Sequence, residues 1–152
     1  MAYSWIDQAT GRLLDSNANG NVYTNEPNGG TFQQWILYAG PNGNIFMKDV
    51  ATGLFLDGNG TNVYTLSYNG STFQQWVMQH NGGFAFLLKH VESGRLLDSN
   101  ANGNVYFNSA NGGNFQNWFL SQANMTEKTN AYMTEEEIRS QLKAPPVPAL
   151  SG

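Results

Sequence analysis

The sequence predicts an all-β protein in which three similar segments of about 40 residues close around a common axis. An internal repeat that covers most of the chain and a composition rich in turn formers and aromatic residues both predict this fold. The 152 residues include 17 glycines, 9 phenylalanines, 7 tyrosines and 4 tryptophans. Glycine and asparagine tolerate the positive φ angles of tight turns, whereas aromatic residues favour strands. This composition therefore indicates short strands joined by hairpins.

The repeat is visible in three stretches of sequence. They read ATGRLLDSNANGNVYTNEPNGGTFQQW, ATGLFLDGNGTNVYTLSYNGSTFQQW and ESGRLLDSNANGNVYFNSANGGNFQNW. Asp15, Asp57 and Asp98 follow one another at intervals of 42 and 41 residues, because the second copy is one residue shorter before its tyrosine. Similarity at a fixed period is typical of repeat architectures. The repeats are expected to cover about residues 1–39, 40–80 and 81–121.

Each repeat contains the pattern of about four short strands. In the first, residues 12–15 and 21–24 flank an SNANG turn, which is typical of a β-hairpin. A second turn at residues 28–30 precedes a strand expected from Phe32 to Tyr38. Strands this short cannot bury their apolar faces alone, and closure around one axis also removes free sheet edges. A six-stranded barrel capped by three hairpins, the β-trefoil with pseudo-threefold symmetry, meets these requirements.

The apolar core is expected to form around the tryptophans that end the repeats. In the first repeat, Leu14, Val22 and Ile36 should join them. The glutamines before the tryptophans are expected to tie strands together. The tryptophans are Trp35, Trp76 and Trp118.

Residues 122–152 depart from the repeat and form a C-terminal tail. Thr134 followed by glutamates fits a capping box with Glu137 at its third position, which predicts a short helix over about residues 135–142. Three prolines among the last eight residues then favour an extended, proline-rich end. Terminal segments of this kind often fray or lead into a linker, and a peptide that docks on a protein partner is the alternative.

Composition argues against several classes of function. The formal net charge is −4 and the basic residues are scattered singly, so no nucleic-acid partner is expected. The absence of cysteine excludes disulfides and cysteine-type zinc sites. No stretch approaches the ~20 apolar residues that span a bilayer, so membrane insertion is not expected. The chain starts without a visible signal peptide, which predicts a cytoplasmic protein or one released without a classical signal.

No pattern typical of catalysis or metal binding stands out, so neither an enzyme nor a cofactor is expected. His80 and His90 are not paired with a nucleophile or with acids at an indicative spacing. Residues 15–26 fit the calcium-loop pattern D-x-[DN]-x-[DN]-G-x5-E, but strands rather than helices flank them. The third repeat has Ser109 where the first has Glu26. We therefore expect no bound metal ion.

Each repeat instead offers the polar and aromatic groups that bind saccharides. An aspartate begins the hairpin, a tyrosine follows seven or eight residues later, and an asparagine follows after five more. A carboxylate accepts hydrogen bonds from hydroxyls, an amide both donates and accepts, and an aromatic face covers the C–H patch of a sugar ring. Turn formation by the aspartate and packing by the tyrosine are the alternatives. The candidate carbohydrate-binding residues are Asp15, Tyr23 and Asn28, then Asp57, Tyr64 and Asn69, and then Asp98, Tyr106 and Asn111.

The triplets QQW, QQW and QNW that end the repeats resemble the Gln-x-Trp signature of ricin-B-type lectin domains, or carbohydrate-binding module family 13. More closely, LDSNANGNVYT and NGGTFQQW are similar to the repeat of the actinohivin-type lectins of actinomycetes, which bind high-mannose glycans. The resemblance covers about residues 3–121. It implies a β-trefoil without metal or enzymatic activity and a multivalent lectin, of the kind that acts as a hemagglutinin. Its pockets, up to three, would use the aspartate, tyrosine and asparagine of each repeat.

The chain departs from the actinohivin-type repeat at positions that bear on its partners. Ala18 and Ala101 replace an aromatic residue, and Gly58 stands for a serine in the shortened second hairpin. Glycans and glycoproteins are the expected partners, with high-mannose chains favoured. The alternatives are galactose or N-acetylgalactosamine, a receptor-targeting module of a toxin or hydrolase docked through the tail, and a trefoil that binds protein. The sequence leaves the oligomeric state open.

Overall fold

A barrel of antiparallel strands is the centre of the fold, in a computed structural model that describes residues 1–123 and 132–146. These described residues contain twelve strands and one α-helix. The elements are β1 (Tyr3–Asp7), β2 (Leu13–Ser16), β3 (Val22–Asn25), β4 (Trp35–Ala39), β5 (Ile45–Asp49), β6 (Phe55–Gly58), β7 (Val63–Leu66), β8 (Trp76–His80), β9 (Phe86–His90), β10 (Leu96–Ser99), β11 (Val105–Asn108), β12 (Trp118–Gln122) and α1 (Glu135–Ser140).

Six strands close the barrel and six form its cap. The barrel runs β1–β4–β5–β8–β9–β12 and returns to β1, with every pair antiparallel. The remaining strands pair as the hairpins β2–β3, β6–β7 and β10–β11. This arrangement confirms the β-trefoil that the threefold repeat predicts. The hairpins meet in a ring through the pairs Asn21–Tyr64, Tyr23–Asn104 and Asn62–Tyr106.

Local chemistry sets the element boundaries. The strand expected from Phe32 begins instead at Trp35, because residues Thr31–Gln33 form one turn of 3-10 helix. In the hairpin β2–β3, Gly20 adopts a φ of 86°, which disfavours any residue with a Cβ. A Cβ there would also lie 3.0 Å from the carbonyl oxygen of Thr65 in the next hairpin. The glycine therefore permits both the turn and the close contact between hairpins.

The barrel interior is filled by the tryptophans and by alternate strand residues. Leu14 and Val22 are buried as expected, but Ile36 is partly exposed, contrary to expectation. Strand side chains alternate between faces, so the inward-facing Trp35 places Leu37 in the core instead. All three repeat tryptophans are fully buried, as expected, and each indole N–H donates to a hairpin carbonyl oxygen. These bonds join Trp35 to Leu14 (3.0 Å), Trp76 to Leu56 (3.2 Å) and Trp118 to Leu97 (3.2 Å).

The described part of the tail packs on the barrel, at the end away from the hairpins. Met133 N–H donates to Leu120 O on β12 (2.8 Å), and Lys143 N–H donates to Leu37 O on β4 (3.1 Å). Met133 and Ile138 are buried and belong to the same apolar cluster as the barrel residues. The expectation of a frayed tail or linker is therefore wrong for this part of the chain.

The helix of the tail begins at the expected capping box. Thr134 Oγ1 accepts the N–H of Glu137 (3.2 Å), and Glu137 Oε1 accepts the N–H of Thr134 (3.1 Å). α1 ends at Ser140, inside the range expected for it. The last proline of the proline-rich end, Pro148, lies outside the described residues. Among the described residues, no helix has the length and apolar character needed to cross a membrane.

Candidate functional site

Three aspartates occupy equivalent positions in the capping hairpins, and each lies directly opposite a tyrosine. Residues directly opposite in an antiparallel pair project from the same face and lie about 5 Å apart. The hairpin register thus joins two of the three groups that the sequence singles out in each repeat. The opposed pairs are Asp15–Tyr23, Asp57–Tyr64 and Asp98–Tyr106.

Each of these carboxylates is nearly buried and held in one orientation. Asp15 is 3 % exposed; its Oδ1 accepts the N–H of Ser16 (2.8 Å) and its Oδ2 accepts from Gln33 Nε2 (3.1 Å). Asp57 and Asp98 make the same two kinds of contact. A carboxylate oxygen has two lone pairs, so each oxygen keeps one lone pair that these contacts do not use.

The first glutamine of each triplet connects the aspartate to the asparagine. Gln33 Nε2 donates to Glu26 O (2.8 Å) as well as to the aspartate, and Gln33 Oε1 accepts the N–H of Asn28 (2.9 Å). Gln74 and Gln116 make the corresponding bonds in their repeats. These glutamines were expected to tie strands together; they also fix the distance between the aspartate and the asparagine of each candidate site.

The asparagines are exposed and cap the turns that carry them. Asn28 Oδ1 accepts the N–H of Gly30 (2.8 Å), and Asn69 and Asn111 cap their turns in the same way. Within the described part of the chain, the Nδ2 groups of these asparagines make no hydrogen bond. Each turn therefore presents a rigid amide with a donor that is available to a ligand.

The tyrosine hydroxyls differ between the hairpins. Tyr23 donates to Ser16 O (3.0 Å) and Tyr106 to Ser99 O (2.9 Å). Tyr64 has no hydrogen-bond partner for its hydroxyl among the described residues. Burial, and secondly the opposed aspartate, raises the pKa of all three phenols. The tyrosines therefore remain protonated at neutral pH.

A second buried acid lies under two of the sites. Asp7 Oδ2 accepts from Ser99 Oγ (2.8 Å), directly behind the Asp98 site, and the Asp7 side chain is fully buried. Asp49 occupies the equivalent place beside Ser16. Burial raises the pKa of Asp7 and of Asp49 to about 6. Sequence reasoning did not single out these acids, although their position recurs in the repeat.

Under the second hairpin, aromatic rings take the place of the buried acid. His90 takes the place of the buried acid, and Gly58 takes the place of the serine. A Cβ on Gly58 would lie 2.4 Å from the ring of Phe107, whose centroid is 4.7 Å from that of His90. His90 Nε2 lies 2.8 Å from Phe73 O and therefore carries the ring proton, because a carbonyl only accepts. Burial lowers the pKa of His90.

In the structure, residues of the calcium-loop pattern make contacts within the protein that close the turn and pair a glutamate with an arginine. Asn17 Oδ1 accepts the N–H groups of Asn19 (3.0 Å) and Asn21 (3.1 Å), so the side chain closes the hairpin turn. Glu26, at the end of the pattern, forms an ion pair with Arg12, with 3.5 Å between Glu26 Oε1 and Arg12 Nε. In residues 1–123 and 132–146, no group of three or more His, Asp or Glu side chains could hold a metal ion.

Two exposed aromatic rings lie next to the bridging glutamines. Phe32 is 38 % exposed and Phe73 is 40 % exposed, each in the 3-10 turn that packs against its hairpin. The sequence alone did not mark these phenylalanines as site residues. A large apolar side chain at the same point of each turn is the signal that could have marked them as site residues.

No family model matches the chain, but solved structures share its fold. The designed threefold-symmetric protein ThreeFoil is 29 % identical over 80 % of this chain and 98 % of its own, with a TM-score of 0.74. SeviL, solved bound to asialo-GM1 saccharide, is 16 % identical over 80 % of this chain and 97 % of its own (TM-score 0.71). An exo-β-1,3-galactanase from Clostridium thermocellum is 22 % identical over 80 % of this chain (TM-score 0.74), which corresponds to 30 % of the galactanase chain. The chain is a β-trefoil whose three hairpins each carry a similar group of polar and aromatic side chains, which is a candidate site.

Proposed function

We propose that this protein is a multivalent lectin that binds glycans without catalysis, through one pocket in each capping hairpin. The observation that carries the proposal is the contact set of Asp15, Gln33 and Asn28, which recurs in all three hairpins. A surface that needed only a turn former would not require a buried carboxylate braced by a second side chain.

The chemistry of each pocket suits a sugar ring. The aspartate accepts hydrogen bonds from adjacent hydroxyls, and a bond to a charged acceptor is stronger than one between neutral groups. The asparagine Nδ2 donates to a further oxygen, while the tyrosine and phenylalanine rings cover the apolar ring face. None of these roles transfers a proton or breaks a bond. A few fixed polar groups in a shallow site are typical of binding rather than of reaction.

High-mannose glycans are the favoured ligands within this proposal. The support is the similarity of the repeats to those of the actinohivin-type lectins, within the ricin-B-type group. The trefoil SeviL, solved with asialo-GM1 saccharide, supports saccharide binding by this fold in general and keeps galactose-type sugars as the alternative. Three sites on one chain would gain ~10²–10⁴ in avidity on a branched glycan over a single site.

A glycan array of the purified protein, with and without EDTA, tests this function. We expect binding to mannose-rich glycans that survives EDTA, because the pocket uses no metal ligand. Binding lost with EDTA would point to the calcium-type loop at residues 15–26 instead. No binding to any glycan would contradict the lectin function and favour protein recognition.

A second candidate role is that of a targeting module in a larger assembly. It is favoured by the galactanase, in which a similar trefoil makes up less than a third of the chain. The surface available to a partner would include the exposed acidic side of α1, at Glu136 and Glu137. Charge reversal at Glu136 should then abolish capture of the partner while glycan binding persists. Equal capture by the altered and unaltered proteins would contradict this role.

A further inference from the structure

The second hairpin surrounds its aspartate with different groups from the other two. Its turn has four residues, 59–62, where the first hairpin has five, 17–21. The Tyr64 hydroxyl has no hydrogen-bond partner in the described chain, whereas the Tyr23 and Tyr106 hydroxyls already donate to backbone carbonyls. A phenol has one hydrogen to donate. Of the three phenols, that of Tyr64 is therefore the one whose hydrogen a ligand can accept.

An apolar side chain lies beside this free hydroxyl. Tyr64 and Leu66 are two residues apart on β7, so they project from the same face of the strand. Leu66 is 48 % exposed. The equivalent residues are Asn25 and Asn108, whose Oδ1 atoms accept the next backbone N–H at 3.0 and 2.9 Å. The rim of the second pocket, at Leu66, is therefore apolar, whereas the rims of the first and third pockets carry an asparagine at this position.

An extra aromatic ring borders the asparagine turn of the second hairpin. The Tyr68 hydroxyl lies 3.1 Å from the position that a Cβ on Gly70 would take, and the ring lies 5.1 Å from that of Phe55. Pro27 and Ala110 stand at the equivalent positions in the other repeats. The second pocket therefore has a wall that the first and third pockets lack.

We propose that the second pocket selects a 2-acetamido sugar, whereas the first and third pockets take unsubstituted hexoses. This inference rests on the proposed lectin function. An acetamido group presents a carbonyl acceptor next to a methyl group. The Tyr64 hydroxyl donates to the carbonyl, Leu66 covers the methyl group, and Asp57 accepts from the ring hydroxyls. In the first and third pockets, the tyrosine hydroxyl already donates its hydrogen to a backbone carbonyl. An asparagine stands there at the position of Leu66.

Variants that silence selected pockets test this division. The double variant Asp15→Asn, Asp98→Asn silences the first and third pockets and keeps the second intact. The variant Asp57→Asn silences the second pocket and keeps the first and third intact. Each is titrated by calorimetry with the methyl glycosides of mannose, galactose, N-acetylglucosamine and N-acetylgalactosamine. We expect the second pocket to bind an acetamido sugar ~10-fold more tightly than its parent hexose, and the other two to lack this preference. If the aspartate variants fail to fold, Asn28→Ala with Asn111→Ala silences the same two pockets at exposed residues.

Rim substitutions in the variant that keeps the second pocket identify the selecting groups. Tyr64→Phe and Leu66→Asn should each reduce the preference for the acetamido sugar by ~5-fold and leave hexose binding nearly unchanged. Phe84→Asn replaces a similarly exposed apolar residue outside the hairpins and should leave the preference intact.

The outcomes separate this inference from the function on which it rests. Equal affinity of the second pocket for both sugar classes overturns the inference, and so does a second pocket that binds nothing. In either case, sugar binding by the Asp57→Asn variant leaves the lectin function standing. If the unaltered protein binds none of the sugars and no array glycan, the proposed function fails and the inference fails with it.

Discussion

Gln116 and Asp98 are joined by a hydrogen bond of 3.0 Å from Nε2 to Oδ2, and Gln116 Oε1 accepts the N–H of Asn111 at 3.0 Å. One side-chain amide makes both bonds because it carries a donor and an acceptor. The contact links the turn before β12 to the hairpin β10–β11. The aspartate and the asparagine of a site are therefore held at a fixed separation before any ligand binds.

Replacing one of these glutamines should weaken a single pocket. Gln33→Met removes three hydrogen bonds and leaves Asp15 Oδ2 without its donor, which should cost about 1–3 kcal/mol of stability. Sugar affinity of the first pocket, measured with the other two silenced, should fall at least ~10-fold. Gln79→Met, at an exposed residue of β8, is the matched control and should change neither quantity. Unchanged affinity in Gln33→Met would show that the brace does not position the aspartate.

Removing all three site carboxylates should abolish glycan binding. Asparagine at residues 15, 57 and 98 keeps the size of the side chain but replaces one acceptor oxygen with a donor group. We expect no array signal from the triple variant, together with a near-ultraviolet circular dichroism spectrum like that of the unaltered protein. A folded triple variant that still binds glycans would contradict the site assignment.

The fold follows from the sequence because the repeat supplies the same information three times. The hairpin turn, the alternation along the strands and the triplets around Trp35, Trp76 and Trp118 all favour one closed arrangement. The strand register then brings each aspartate opposite its tyrosine. The predicted start of β4 was too early because residues Thr31–Gln33 form a 3-10 turn. The spacing of apolar residues alone does not distinguish such a turn from the first residues of a strand.

Contacts between distant parts of the chain could not be predicted. The docking of the tail depends on Met133 and Ile138 meeting an apolar barrel end that exists only after the repeats close. The contact between Gly58 and Phe107 crosses two repeats and is invisible in either repeat alone. The bridge from Gln33 to Asp15 likewise depends on side-chain geometry that spacing does not specify.

Substitutions of Gly58 and Phe107 should have non-additive effects on the free energy of unfolding, because the two residues pack against each other. Gly58→Ala places a Cβ 2.4 Å from the Phe107 ring, so the free energy of unfolding should fall by about 1–3 kcal/mol. Phe107→Thr, the residue type of the other repeats, removes the ring and should relieve most of that loss in the double variant. Chemical denaturation of the two single variants and the double variant measures the coupling. Additive losses would show that the loss in Gly58→Ala does not arise from contact with the Phe107 ring.

The stability of the protein should decrease as the pH rises from about 4 to 6. Burial raises the pKa of Asp7 from 3.8 to about 6, so the folded state holds this proton more tightly than the unfolded chain does. This contribution to stability is full below pH 3.8, is lost as the pH rises through about 6, and amounts to about 3 kcal/mol. Asp49 acts in the same direction. His90, whose pKa is lowered, acts in the opposite direction, since its contribution is lost as the pH falls below 6.5.

Asp7→Asn isolates the contribution of one acid. The amide can keep the bond from Ala9 N–H and can donate to Ser99 Oγ, so the fold should be retained. Relative to the unaltered protein, the variant should gain about 3 kcal/mol between pH 4 and pH 7.5 in urea unfolding. Glu136→Gln removes one charge at an exposed residue and should show no such change with pH. A stability difference for Asp7→Asn that is constant with pH would contradict the shifted titration.

The tail should contribute to stability without contributing to glycan binding. Ile138 is 1 % exposed and packs with the barrel core, so Ile138→Ala should lower the free energy of unfolding by about 2–4 kcal/mol. Glu136→Ala, two residues earlier on the same helix and exposed, is the matched control and should have little effect. Sugar titrations well below the unfolding transition should give the same affinity for both variants, because the tail docks at the barrel end away from the hairpins. Equal unfolding midpoints for the two variants would show that the tail is not part of the folded core. Weakened sugar binding by Ile138→Ala alone would show that the docked tail and the pockets are coupled.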